Sequence, residues 1–123
     1  IKKGIYFIQL LSPTTTKTRL KKIIKDSHPM SYFISMLSTT GGKLKVSANE
    51  ILRNYRNIKK NNNKKNIVIG FGITDKSIKS LKSADGLVVG SAICKEISRS
   101  LINRQNPVTN VSKLVDKLKN KIL

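Results

Sequence analysis

A chain of 123 residues with 25 Lys and Arg against six Asp and Glu carries a formal charge of +19, a balance that favours anionic partners. Its single cysteine, Cys94, excludes an internal disulfide, and no apolar run approaches the roughly 20 residues of a membrane span. With no signal-peptide pattern at its start, the chain reads as a cytoplasmic protein with no membrane and no nucleic-acid partner, because no RNA- or DNA-binding signature accompanies the charge.

The first element expected is a continuous apolar strand from Gly4 to Leu11. Ser12-Pro13-Thr14 then supplies a loop and a cap for a helix with Leu20, Ile23 and Ile24 on one face. His28, the only histidine, sits beside Pro29 in a loop, and without companion ligands it argues no metal site. A second strand is expected from Met30 to Met36, followed by a flexible-looking stretch from Leu37 to Val46. Ser47 and Glu50 form a capping box for a helix whose apolar stripe is Ile51, Leu52, Tyr55 and Ile58.

The run from Lys59 to Lys65 reads as drift on solvent-facing positions in an AT-rich genome. Asn66 to Ile69 is the third strand, ending in Gly70-Phe71-Gly72, and Thr74 caps a helix carrying Ile78 and Leu81. The fourth strand, Gly86 to Val89, runs into Gly90-Ser91 and a short helix through Ile97, within which Cys94 is expected to be buried. After the Pro107 loop comes a last helix with Val111, Leu114, Val115 and Leu118.

Strand, loop and helix thus recur four times, the pattern of parallel βαβ units. The fold expected is α/β: four parallel βα units, the C-terminal half of a (β/α)8 TIM barrel. A complete barrel needs roughly 250 residues, so residues 1–123 read as a partial TIM-barrel domain whose N-terminal half is absent. The start at Ile1 rather than Met fits that expectation.

Two of these strands end in glycine at the same sheet edge. Gly90 lets backbone approach an anion, and the helix opening at Ser91 directs N–H groups and the positive end of its dipole toward it. The loops after the seventh and eighth strands of a barrel are the usual phosphate cradle. Each feature also has a plain structural reading: Gly90-Ser91 as a strand-to-helix cap, Thr40-Gly41 as a turn, and Tyr32 and Phe71 as core aromatics.

In order along the chain, Ser12-Pro13-Thr14-Thr15 with Arg19-Leu20, Tyr32-Phe33-Ile34-Ser35 with Thr40-Gly41, Gly70-Phe71-Gly72-Ile73, and Ala84-Asp85-Gly86 with Gly90-Ser91-Ala92-Ile93 resemble the tryptophan synthase α subunit. The resemblance implies a lyase of tryptophan biosynthesis that cleaves indole-3-glycerol phosphate to indole and glyceraldehyde 3-phosphate. It implies that Gly41, Gly72, Gly90 and Ser91 hold the substrate phosphate, that Tyr32 and Phe71 line the indole pocket, and that Thr40 sits on a mobile loop. It further implies an α2β2 tetramer in which indole passes to a β subunit that carries pyridoxal phosphate, with no cofactor in the α subunit itself.

The chain departs from the family pattern in two places. Ser38-Thr39-Thr40-Gly41 replaces the usual Gly-Val-Thr-Gly, which alters the closing loop. The two catalytic carboxylates of the family belong to the N-terminal half, and none of Asp26, Glu50, Asp75, Asp85, Glu96 or Asp116 matches them. No catalytic residue is therefore expected in this chain, and alone it should be inactive. Two other functions compete: a different phosphate-binding TIM-barrel enzyme, such as a phosphoribosyl isomerase, and a basic polyanion-binding protein whose affinity would fall steeply with salt.

Overall fold

The computed structural model describes residues 4–26, 29–35, 46–60, 64–70, 73 and 75–123. In chain order they form β1 (Gln9–Leu11), α1 (Lys17–Asp26), β2 (Met30–Ile34), α2 (Ala48–Lys60), β3 (Asn66–Gly70), a 3₁₀ turn (Ile78–Leu81), β4 (Gly86–Leu87), α3 (Ser91–Ile102) and α4 (Pro107–Asn120). The strands make one sheet in the order β1-β2-β3-β4, all parallel, with Leu11 opposite Phe33, Phe33 opposite Ile69, and Ile69 opposite Leu87.

Side chains alternate across a strand, and here the alternation separates two unlike faces. Leu11, Ser31, Phe33, Ile67 and Ile69 are buried with Leu20, Ile23 and Ile24 of α1 and with Ile51, Leu52, Tyr55 and Ile58 of α2. The other face carries Leu10, 59% exposed, and the half-buried Tyr32, Ile34 and Val68. The helix stripes expected for α1 and α2 are thus the ones that close the core. Ser47 caps α2, its Oγ accepting from Glu50 N at 3.2 Å. Thr16, rather than the Ser12-Pro13-Thr14 segment, caps α1: its Oγ1 accepts from Arg19 N at 3.3 Å and its carbonyl from Leu20 N at 2.8 Å. Ser12 and Thr15 instead close a turn on each other through Ser12 N to Thr15 Oγ1 at 2.9 Å and Thr15 N to Ser12 O at 3.0 Å.

Several expected boundaries move. The first strand begins at Gln9, not Gly4, because β2 starts only at Met30 and offers no ladder to what precedes; Gly4 turns at φ +67° and Ile5, Tyr6 and Phe7 are exposed. The second strand ends at Ile34, and Met36 lies outside the described residues. The third extends by one residue to Gly70, and β4 stops at Leu87, although Val88 N still donates to Ile69 O at 2.8 Å. The helix expected around Ile78 and Leu81 is a single 3₁₀ turn that buries both side chains. Its expected cap, Thr74, lies outside the described residues, as does His28.

The helix after Gly90 runs past Ile97 to Ile102. Pro107 is the first residue of α4 rather than part of a loop, a position where its missing N–H costs nothing. Asn106 caps that helix, Oδ1 accepting from Val108 N at 2.9 Å and Thr109 N at 3.2 Å. The two helices are joined through Ser100, fully buried, whose Oγ donates to Glu96 O at 2.8 Å and accepts from Asn110 Nδ2 at 3.0 Å. Cys94 is exposed rather than buried. The more buried positions of α3 are Ala92, Ile93, Glu96 and Ser100, and at 3.6 residues per turn Cys94 falls outside that stripe.

Candidate phosphate-binding site at the strand ends

Parallel strands that all point one way bring their C-terminal ends to one edge, and that edge is where the glycines collect. Gly70 ends β3, opposite Ile34 of β2, while Ile69 stands opposite Leu87, so Gly70 and the Val88-Val89-Gly90 segment leave the sheet side by side. Gly90 is the N-cap of α3 and makes no side-chain cap hydrogen bond; its carbonyl accepts from Ile93 N at 2.9 Å and Cys94 N at 3.1 Å. The first N–H groups of such a helix have no acceptor within it. A Cβ built on Gly90 would meet nothing within 4 Å, and Gly90 and Ser91 are both exposed. At φ −116° any residue fits the backbone of Gly90, so glycine contributes clearance there rather than conformation. Among the described residues, no side chain stands within 4 Å of that Cβ to close off the start of α3.

Tyr32 lies on the face away from α1 and α2, and its ring covers Gly70. A Cβ on Gly70 would fall 1.7 Å from the Tyr32 hydroxyl oxygen and 2.1 Å from Cζ. The ring can lie there only because that position has no side chain. Two of the four residues assigned to phosphate, Gly90 and Ser91, stand at this edge with Tyr32. Gly41, Gly72, Phe71 and Thr40 lie outside the described residues.

Ser35 is a residue of this edge to which the sequence pattern alone attached no role. It is 1% exposed, and it holds the Gly70 carbonyl twice, through its own N–H at 3.1 Å and its hydroxyl at 2.8 Å. The available signal was alternation: Ser31, Phe33 and Ser35 share the buried register of one strand. Beyond the glycine loop, Asp75 is clamped by α4. Lys121 Nζ donates to Asp75 O at 3.0 Å and to Oδ1 at 2.6 Å, and Lys117 Nζ lies 3.3 Å from Oδ2. These lysines, Lys121 foremost, hold the Asp75 carboxyl below the usual carboxylate range.

The opposite edge of the sheet carries a different arrangement. Asp85 Oδ2 accepts from Lys59 Nζ at 2.6 Å and from Ile67 N at 2.8 Å, while Asp85 N donates to the Tyr55 hydroxyl at 3.1 Å. Lys59 also donates to Lys65 O at 2.6 Å, and Lys65 Nζ donates to Ile24 O at the end of α1. Burial opposes the charge on Asp85, but the Lys59 ammonium and the Ile67 N–H outweigh it and hold the carboxyl low. Burial raises the Tyr55 phenol. Among the described residues, no three His, Cys, Asp or Glu side chains are grouped to hold a metal ion, and no helix is long and apolar enough to cross a membrane.

The family model for the tryptophan synthase alpha chain matches residues 1–123. The tryptophan synthase alpha chain of Pelagibacter ubique (strain HTCC1062) is 69% identical over 121 residues, 98% of this chain and 46% of that protein. That of Thermococcus kodakarensis is 38% identical over 121 residues, 94% of this chain and 45% of that protein. A crystal structure of tryptophan synthase subunit alpha from Legionella pneumophila str. Paris superposes with a TM-score of 0.82 at 27% identity, covering 98% of this chain and 44% of that one. The chain spans about half the length of the curated relatives it matches, and its four parallel βα units correspond to about half of their TIM barrel. A match along the whole chain and the agreement in fold have one meaning: this chain belongs to the tryptophan synthase alpha chain family.

Proposed function

We propose that these residues form the C-terminal half of a barrel domain that binds indole-3-glycerol phosphate and, completed by its N-terminal half, cleaves it to indole and glyceraldehyde 3-phosphate. The observation that carries this reading is the open start of α3, where Gly90 leaves clearance and Ser91 begins a helix of twelve residues beside the end of β3. Anions favour such a position because N–H groups and the helix dipole both point at it. In this assignment Gly90 and Ser91 take phosphate oxygens, with Gly72 and Gly41 completing the cradle. Tyr32 and Phe71 bound the indole ring, where flat aromatic surfaces bury area and stack. Thr40 belongs to the loop that closes over the substrate.

The role of this half is binding and orientation. Breaking the bond between the indole ring and the glycerol chain needs a proton delivered to the ring and one taken from a glycerol hydroxyl. Both acids come from the other half, since no carboxylate here matches them. The α chain needs no cofactor for this step, works in the cytoplasm, and delivers indole to a β subunit that carries pyridoxal phosphate within an α2β2 tetramer.

The test places these 123 residues in a full-length chain whose remainder comes from the Pelagibacter ubique relative. The full-length chain should release indole and residues 1–123 alone should not; turnover by the isolated piece would overturn the assignment of both acids to the other half. Gly72→Leu adds a side chain where backbone must approach phosphate. Losing a hydrogen bond to a charged group costs about 1.5–3 kcal/mol, so KM should rise roughly ten- to a hundredfold. An unchanged KM would refute the phosphate assignment.

A further inference from the structure

We propose that Ser35 is a positioning residue for the substrate phosphate, acting through the Gly70 carbonyl that it holds; this rests on the reading of Gly72 as a phosphate ligand. The Gly70 peptide is held from two directions. Ser35 N–H and hydroxyl both donate to its carbonyl, at 3.1 and 2.8 Å, and the Tyr32 ring covers its Cα.

Two features separate this contact from ordinary ladder bonding. The backbone bond from Ser35 N alone would complete the parallel pairing of β2 with β3. The hydroxyl adds a second donor to a carbonyl already bonded, so strand pairing does not require it. The hydroxyl is also buried, at 1% exposure, and an acceptor that fixes its rotamer keeps it from costing stability. What the second bond adds is orientation of the last peptide before Phe71-Gly72. A peptide unit is planar, so holding the Gly70 carbonyl holds the plane of the Gly70–Phe71 peptide, two residues before Gly72 in the sequence. One side chain thus joins the end of β2 to the end of β3. Hydrogen-bond donors placed for phosphate lose affinity with small displacements, so loosening Ser35 should weaken binding without touching the proton-transferring groups.

The experiment uses the same full-length chain and compares Ser35→Ala with Ser100→Ala, which removes an equally buried hydroxyl between α3 and α4, far from the glycine loop in sequence. Ser35→Ala should raise KM for indole-3-glycerol phosphate about three- to tenfold, the worth of one hydrogen bond, with kcat within about twofold. Ser100→Ala should leave KM unchanged even where it lowers the melting temperature. Ser35→Cys, nearly the same size with a weaker donor, should raise KM by a smaller factor, and it carries the test if the alanine variant does not accumulate. An unchanged KM in the Ser35 variants, with Gly72→Leu still raising it, overturns the role of Ser35 alone. A rise of equal size in Ser100→Ala reduces the effect to general loosening and overturns it as well. If Gly72→Leu leaves KM unchanged, the phosphate reading itself has failed.

Discussion

The two ends of this four-stranded parallel sheet are opposite in character. At the end where the strands begin, Asp85, Lys59, Tyr55 and Lys65 tie β3, β4 and both early helices together with bonds that leave no role for a ligand. At the end where the strands finish, glycine replaces side chains, α3 starts without a side-chain cap, and Ser35 holds the Gly70 carbonyl through both its N–H and its hydroxyl. In barrels the starting face serves stability and the finishing face serves chemistry. Here the division follows from strand direction: carbonyl ends and helix starts gather at one edge, and carboxylate-lysine ties can fill the other without obstructing it.

The strongest way to break this comparison is to add one methyl group at the finishing end. Gly70→Ala puts a Cβ 1.7 Å from the Tyr32 hydroxyl oxygen, so the ring must leave its place. Overpacking of this kind costs about 1–3 kcal/mol, and the upper half of that range is expected for the loss in urea denaturation. Indole release in the full-length chain should fall with it. Tyr32→Ala in the same molecule should restore stability, because the atoms that clash are gone. If Gly70→Ala is as stable with Tyr32 as without it, the ring does not depend on the glycine.

A somewhat smaller loss is expected at the starting end. Asp85→Ala removes the acceptor for Ile67 N and the partner of Lys59, at a site where the Asp85 side chain is 23% exposed. After allowance for that exposure, about 1–2 kcal/mol should be lost, with KM unaffected. The pH dependence has a definite sign. Asp85 titrates lower in the folded chain than its unfolded value near 3.9, so its contribution is complete above that value and is lost as pH falls through the folded pKa. As pH falls below the folded pKa of Asp85, the wild type and Asp85→Ala should converge in stability. A KM that follows Asp85→Ala would mean that the two ends are coupled and the division is false.

The smallest effect sharpens the comparison with a region that belongs to neither end. Arg104, in the turn between α3 and α4, has φ +54°, a left-handed conformation that costs a non-glycine residue about 1–2 kcal/mol. Arg104→Gly relieves this and gives back about 0.4–1 kcal/mol to the freer unfolded chain. A net gain of roughly 0.5–1 kcal/mol is expected, visible as a small rise in the denaturation midpoint. A loss would show that the Arg104 side chain contributes more than its backbone strain.

The pattern of apolar runs and caps was enough to order this fold. Strands buried under helices read as unbroken apolar stretches, and the stripes Leu20-Ile23-Ile24 and Ile51-Leu52-Tyr55-Ile58 could face only a sheet. The turn at Gly90-Ser91 was legible for the same local reason: a strand running into glycine and then into helix-forming sequence can be read without its neighbours. Length also spoke, since 123 residues cannot close a barrel of roughly 250.

Tertiary structure decided what depends on a neighbour. The first strand begins at Gln9 because a ladder extends only as far as its partner, and composition cannot say where that partner starts. Cys94 is exposed because the phase of α3 is set by how Ser100 packs against Asn110, a contact ten residues away in sequence. The hold of Ser35 on Gly70 spans thirty-five residues and turns a serine that the motif named without a role into the fastening between two strand ends. Local periodicity carries the element and its buried face, because both arise from geometry repeated every two or every 3.6 residues; register, helix phase and the partners of polar atoms arise only when separate segments meet.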